Sequence, residues 1–415
     1  DVTIAEGRND VEVILEYASG KKTRKPLNFV YLTNYDYVVD AAFTGTAGDT
    51  TQYGVPQFKT IGEALAAVGT SNTSRKVILI KEGSYEERLD VYAPYVSLIG
   101  EDSTKTIIHN YPGDFLPTGE RGGTMGDRAA MRIRPDAMGF SAENLTVQND
   151  WEYKGDGSIS NESADVIHSE AEGAMYVNVR FLGYQDTICA NKNHQYYYKC
   201  YVAGNVDFIY GNSGMAFFND CDIVFRYNAN KNSGYYTAMK NDLTTPYGAL
   251  FNECRLIAES GCSGDKYFLG RPWGEEAATT FIDCYMSGIV NRNVGFTTWG
   301  GKDFSTDEAA FEKTRYYEKG SYGAGALVNP YRRQISPAQA EKMISTSGLG
   351  WNPYGEVQTV SSSSYVGTKT TPSDDKFVTD KYESDNYSPY ESDDTGLGKY
   401  GIEGYAQSAV TSGGG

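Results

Sequence analysis

Short stretches in which apolar and polar residues alternate recur through the middle of the chain. They are FSAENLTV (140–147), MYVNVRFL (175–182), YYYKCYVA (196–203), FFNDCDIV (217–224), LFNECRLI (250–257) and FIDCYMSG (281–288). Val, Ile, Tyr and Phe alternating with polar side chains is the period of half-buried strands, and helical spacing is weak here. Aligning the stretches puts Asn144, Val179, Cys200, Cys221, Cys254 and Cys284 at one register position, with gaps of 35, 21, 21, 33 and 30 residues. Strands that return at coil-sized intervals, with the surplus taken up in loops, predict a solenoid. A parallel β-helix fits, each coil lying about 4.8 Å above the last. The four register cysteines then point inward as a ladder of small apolar side chains. Disulfide pairing is the other reading, and Cys189 and Cys262 fall outside the ladder.

Upstream, FKTIGEALAAV (58–68) has the pattern of an amphipathic helix suited to capping the open end of the solenoid. KVILIKEGSYEERLDV (76–91) and YVSLIGEDSTKTIIHN (95–110) read as its first coils. The expected organisation is all-β: a small β-rich extension over 1–36, the β-helix over 37–353 and a tail over 354–415. In that tail the composition shifts to Ser, Asp, Tyr and Gly. It is expected to be held by the body or by a neighbouring molecule.

Charge narrows the partners. A formal net charge of −17 over 415 residues leaves no basic surplus for nucleic acid. No stretch of about eighteen apolar residues occurs, so no membrane span is expected. The chain opens on Asp1 without a signal-peptide pattern, which suits a processed, secreted product. Three His (109, 168, 194) and six Cys without C-x-x-C pairs give no metal-ligand pattern, so neither metal nor cofactor is expected. Thirty-four Tyr offer flat faces for sugar rings, or stacking partners in a β-rich core.

The candidate chemistry lies in FLGYQDTICANKNHQYYYKCYVAGNVDFIYGN (181–212), where Asp186 and Asp207 stand twenty-one positions apart among apolar and aromatic neighbours. If twenty-one residues make one coil, the two acids are stacked on adjacent strands. Two carboxylates so close titrate as a coupled pair, one ionised and one protonated near neutrality, which supplies a nucleophile and a general acid together. Arg271, in FLGRPWG (268–274), is placed to favour the ionised member. Gln185 offers an amide N–H to a developing oxyanion. Two strand-end acids bonded to backbone amides are the competing reading.

These residues resemble the pectin methylesterases, carbohydrate esterases on a right-handed single-stranded parallel β-helix. The matching stretches are FKTIGEAL, EGSYEE, GFSAENLTVQND, GYQDTI, DFIYGN, LGRPW and YYEKGSYGAGA, spread over roughly 37–353. NLTVQND looks closer to bacterial members than to plant ones. The resemblance implies hydrolysis of C6 methyl esters of homogalacturonan without a metal. It implies Asp207 as nucleophile, Asp186 as acid and then base, Gln185 as oxyanion donor and Arg271 as partner of the nucleophile. It also implies Trp273 as an aromatic wall of the sugar site, with Phe296 where the family usually has another aromatic, commonly Trp. Tyr184 and Phe208, the aromatic neighbours of the catalytic pair, join this substrate-binding set.

One departure stands out. The family carries a second Gln about 22 residues before the YQD Gln, and that count lands on Ser163 in NESADVIHSEAEG. A hydroxyl is shorter than a carboxamide, and loss of one oxyanion donor can cost about 10²–10³ in rate. Asn161 and His168 are alternative donors. Pectate lyase and polygalacturonase motifs are absent, as is the G-x-S-x-G of serine esterases. A β-helix that binds carbohydrate without catalysis, or with altered specificity, is the remaining alternative. The net charge predicts weak binding to fully de-esterified, polyanionic pectin.

Overall fold

The computed structural model describes residues 7–16, 22–31, 34–111, 125–151, 163–229, 231 and 233–354; the 354–415 tail therefore lies, beyond Tyr354, outside the described residues. Strands Gly7–Glu16 and Lys22–Tyr31 form an antiparallel hairpin. From Tyr37 onward the chain winds into a right-handed parallel β-helix with faces of seven, eleven and eight strands. A complete coil contributes one strand to each face, as Ile188–Ala190, His194–Tyr198 and Tyr201–Gly204 do for the coil that carries the YQD motif.

The twenty-one-residue interval is one turn of this solenoid. Ile188 pairs with Ile209, Tyr196 with Phe217 and Tyr201 with Asp222, each twenty-one residues on. Inside, equivalent positions stack as ladders. Tyr176, Tyr197, Phe218, Phe251 and Phe281 lie ring on ring at 4.7, 4.3, 4.8 and 4.7 Å. Beside them run Cys200, Cys221, Cys254 and Cys284, all buried free thiols; Cys189, also buried, and the half-buried Cys262 are free as well. The disulfide reading falls away. The sulfurs instead line the backbone: the Cys200 and Cys221 amides donate to the sulfurs of Cys221 and Cys254, both at 3.4 Å.

One register assignment needs correcting. Because Glu143 pairs with Val177, the residue level with Val179 and the cysteines is Leu145, not Asn144. Asn144 belongs to the preceding row, in which every coil turns through a left-handed residue: Asn144, Asn178, Lys199, Asp220, Glu253 and Asp283, with φ between 49 and 56°. Asn tolerates that conformation. Here its side chain also accepts from Asn178 Nδ2 at 2.8 Å and donates to two carbonyls of the coil below.

The expected cap is the helix Ile61–Val68, packed over the first strands with Ile61 and Ala64 buried. Thr60 and Glu63 close a capping box, and the Glu87 carboxylate accepts from the Ile61 and Gly62 amides at 2.8 and 2.9 Å. At the far side, helices Pro337–Ile344 and Thr346–Leu349, with Trp351 and Tyr354, cover an outward apolar strip that includes Met175, Tyr196, Phe217, Leu250 and Ile282. This cover explains why the eleven-stranded face carries apolar residues on both sides.

Candidate active site

Asp186 and Asp207 occupy the same place on successive coils, two residues ahead of the paired Ile188 and Ile209. The Asp186 amide donates to the Val206 carbonyl at 3.0 Å, tying the two turns together. Both acids have left-handed backbone, φ 64° and 51°, a conformation Asp adopts more readily than most residues. Shared register and shared conformation put the two residues on neighbouring turns one strand spacing apart, about 4.8 Å along the solenoid. The glycine of DFIYGN is fixed by the same stacking, since a Cβ at Gly211 would lie 1.8 Å from the Ala190 carbonyl.

The two acids have different partners. Arg271, which follows the strand Tyr267–Gly270, reaches back across the intervening coil and clamps Asp207 through both oxygens, Nε to Oδ1 at 2.8 Å and Nη2 to Oδ2 at 2.5 Å. The guanidinium is itself sandwiched between the Tyr235 and Trp299 rings, 4.3 Å from each centroid. Burial leaves the Asp207 carboxyl above its ordinary value, with Arg271 and Lys231 pulling against that rise. Asp186 has no such clamp. Burial first, then the charge of Asp207, push it up to about 8, against the opposing pull of Arg128 and of a hydrogen bond from Ser163. At neutral pH Asp186 therefore keeps its proton, and Asp207 is the member held as carboxylate by a bidentate cation.

Around this pair stand residues foreseen from the sequence and others that were not. Lys231 donates to Gln185 Oε1 at 2.8 Å. An ammonium can only donate, so the carboxamide oxygen is committed and Gln185 presents its N–H₂. Ser163 packs beside this turn, Ala164 donating to the Gln185 carbonyl at 3.3 Å, and its hydroxyl engages Asp186. His168 is turned away into the interior, near Asp165 and Glu170 at 3.4 and 3.8 Å, while Asn161 lies outside the described residues. Trp273 is half-buried, edge-on to Tyr210 at 5.9 Å and under the Lys240 ammonium at 5.5 Å. Tyr184 is half-buried against the Arg226 guanidinium.

Two expected sugar contacts are corrected. Phe208 has no exposed surface; its ring packs inside the coil against Phe225 and Tyr236, because the residue after the left-handed Asp207 turns inward. Phe296 is equally enclosed, stacked on Tyr316 at 4.2 Å. The aromatic at the site is Trp299, three residues on and 48% exposed. Arg128 was also missed, for it sits in GDRAAM, a stretch without any chemical pattern. Its Nη2 lies 3.4 Å from Asp186 Oδ2.

Two further clusters bear on chemistry. Asp165, His168 and Cys189 bring a carboxylate oxygen, an imidazole nitrogen and a thiol within 4.8 Å of one another, donor types that suit a divalent cation. Yet Asp165 already faces Arg128 at 3.3 Å. Burial opposes a charge on His168, but Cys189, Asp165 and Glu170 push the imidazole up to about 12. An entering cation would meet the Arg128 guanidinium already paired with Asp165, so the carboxylate is engaged within the protein. On another face, His109 bridges Ser84 and Asp150, both at 2.8 Å. Ser84 lies on the strand Gly83–Glu86 at the edge of the eight-stranded face, paired in parallel with Thr106–Asn110.

Fold and site together define a carboxylic ester hydrolase built on a parallel β-helix. Comparison with known proteins gives the particular family. The pectinesterase family model matches residues 49–342. Pectinesterase A of Dickeya dadantii (strain 3937) is 33% identical over 329 residues, 71% of this chain and 88% of the relative. Pectinesterase 2 of Citrus sinensis is 29% identical over 73% of this chain and 58% of the relative. Among solved structures, the pectin methylesterase of Erwinia chrysanthemi superposes with a TM-score of 0.63 at 29% identity, covering 77% of this chain and 99% of that one. The carrot pectin methylesterase gives 0.66 at 25% identity, covering 79% and 97%. The chain belongs to the pectinesterase family.

Proposed function

We propose that this chain hydrolyses the C6 methyl esters of methyl-esterified homogalacturonan to free carboxylate and methanol, with Asp207 as nucleophile and Asp186 as proton carrier. The observation that carries the reading is the asymmetry of the stacked pair: Asp207 clamped through both oxygens by Arg271, Asp186 raised to about 8. A related pectin methylesterase, 28% identical with a TM-score of 0.63, was solved in complex with a hexasaccharide, which supports a sugar chain as ligand.

An Asp207 oxygen attacks the ester carbonyl carbon. The carbonyl π electrons move onto oxygen, where the Gln185 N–H₂ is available to the new negative charge. As the tetrahedral species collapses, the C–O bond to the methoxy group breaks and Asp186 gives it the proton, releasing methanol. The result is an anhydride between Asp207 and the substrate. Asp186, now a carboxylate beside it, takes a proton from water as the hydroxide attacks the sugar carbonyl. Cleavage of the anhydride returns Asp207 as carboxylate and leaves Asp186 protonated, so the pair ends as it began. Trp299, against the clamp, and Trp273, two residues after Arg271, offer aromatic surface to neighbouring sugars. Asp207→Ala should abolish methanol release from methylated pectin while the far-ultraviolet circular dichroism stays unchanged; retained release would remove Asp207 from its role.

A further inference from the structure

Arg128 ends the short helical turn Met125–Arg128 and is 6% exposed, so it has almost no surface to offer a substrate. Its guanidinium is nevertheless tied on several sides. Nε faces Asp165 Oδ1 at 3.3 Å, and Nη2 donates to the Tyr210 hydroxyl at 3.2 Å and reaches Asp186 Oδ2 at 3.4 Å. The Tyr210 hydroxyl donates in turn to Asp165, whose two oxygens lie 3.0 and 3.1 Å away. Asn149 Nδ2 bonds the backbone carbonyls of Asp165, at 2.8 Å, and of Arg128, at 3.4 Å. Three coils thus cooperate to hold one cation beside one oxygen of Asp186.

Stability is a poor reason for such an arrangement. Buried ion pairs tend to break even against apolar packing of the same volume, because desolvation offsets the attraction. Orientation is a better one. A guanidinium has donors and no acceptor, so the carboxyl oxygen it faces must accept. Asp186 carries one proton, and with Oδ2 turned to Arg128 that proton resides on Oδ1.

We propose that Arg128, braced by Asp165 and Tyr210, is a positioning residue for Asp186: it fixes which oxygen of the general acid bears the proton and holds that proton toward the departing methanol. This rests on the reading of Asp186 as proton carrier. The charged and titratable groups facing Asp186 are Asp207 on the next coil, Arg271 behind it, Arg128, Asp165 on the preceding coil and Tyr210. His168 stands on the far side of Asp165. Of the two cations, Arg271 is spent on Asp207, so Arg128 is the one whose removal acts on Asp186 directly.

The test is the pH profile of methanol release from methylated pectin for wild type, Arg128→Gln, Arg128→Lys and Tyr210→Phe. Arg128→Gln is expected to lower kcat about 10–100-fold, the worth of one hydrogen bond to a charged group. KM should change less than twofold, because the side chain is out of reach of the substrate. The alkaline limb should move to higher pH, since losing the cation makes Asp186 harder to ionise. Arg128→Lys should return the limb toward wild type without restoring full kcat. Tyr210→Phe removes one hydroxyl and leaves the ring in place, and should shift the limb the same way by less. It serves as the deciding variant if Arg128→Gln does not fold. A folded Arg128→Gln or Tyr210→Phe protein with wild-type kcat and an unmoved limb would overturn the proposal. Asp186→Asn separates the two ideas: if that variant kept its activity, the proton-carrier reading itself would fail, whatever Arg128 does.

Discussion

Replacing Asp186 by Asn should make the protein more resistant to unfolding at neutral pH, and the gain should grow with pH. The folded chain holds the Asp186 carboxyl at about 8, while the ordinary value is 3.8. Between those values the unfolded chain has released this proton and the folded chain has not, so folding takes a proton up. Stability then falls as pH rises through the window from about 4 to about 8, the opposite of a salt-bridged carboxylate. Each pH unit across the window costs about 1.4 kcal/mol, so the step from pH 5 to pH 7 removes about 3 kcal/mol from the wild type through this group. Asn has nearly the same shape, still accepts from Arg128 and does not titrate. Urea unfolding of both proteins at pH 5 and pH 7, with midpoints and slopes taken together, gives the difference directly. Titrations that the two proteins share cancel in that difference. An advantage of Asp186→Asn that is equal at both pH values, or smaller at pH 7, would show that the carboxyl is already ionised in the folded chain. Its part as proton donor would fall with it.

Arg271→Lys replaces a two-pronged clamp by a single point charge and breaks the sandwich between Tyr235 and Trp299. Methanol release should drop roughly 10–100-fold, the worth of one charge-assisted bond, and an unchanged kcat would place the nucleophile elsewhere. Phe296→Ala should cost about 3–5 kcal/mol of stability and leave KM alone, because the ring is core. Trp299→Ala should do the reverse, costing only about 0.5–1 kcal/mol of stability through its contact with the Arg271 guanidinium and raising KM for a methylated oligosaccharide roughly two- to tenfold. Urea midpoints and initial rates on both variants decide which aromatic meets the sugar.

The sequence disclosed most where coils are short and uninterrupted. Between Val179 and Cys221 two successive turns have the same twenty-one-residue length, so aligning the apolar stretches placed Asp186 over Asp207 correctly. Where a long loop intervenes, as between Leu145 and Val179, alternation alone could not separate the ladder residue from the turn residue beside it, and the row was entered one position early at Asn144. The inward or outward sense of an aromatic is open to the same slip, since neighbouring positions on a strand face opposite ways. Phe208 sits next to Asp207 in sequence and on the other side of the wall in space. Arg128 shows a different limit. Nothing in GDRAAM distinguishes it, and its meaning comes from Asp165, Asp186 and Tyr210, up to 82 residues away.

The same comparison explains why the acid pair, Gln185 and Arg271 were legible and Arg128 was not. Asp186 and Asp207 owe their juxtaposition to one coil repeat and one recurring left-handed turn, both of which leave traces in local sequence. Arg271 stands 64 residues beyond Asp207 and Arg128 stands 58 before Asp186. Each reaches the pair with a long side chain from a coil whose length is set by loops, so no fixed interval announces it; Arg271 is marked by the LGRPW motif around it, and Arg128 has no such motif. In the proposed mechanism two identical acids take different parts because different cations meet them, one through two oxygens and one through a single oxygen. The division of labour thus lies in the neighbouring coils. A related chain with the same acids and altered residues at 128 or 271 should retain the stacked pair and lose the difference between its members.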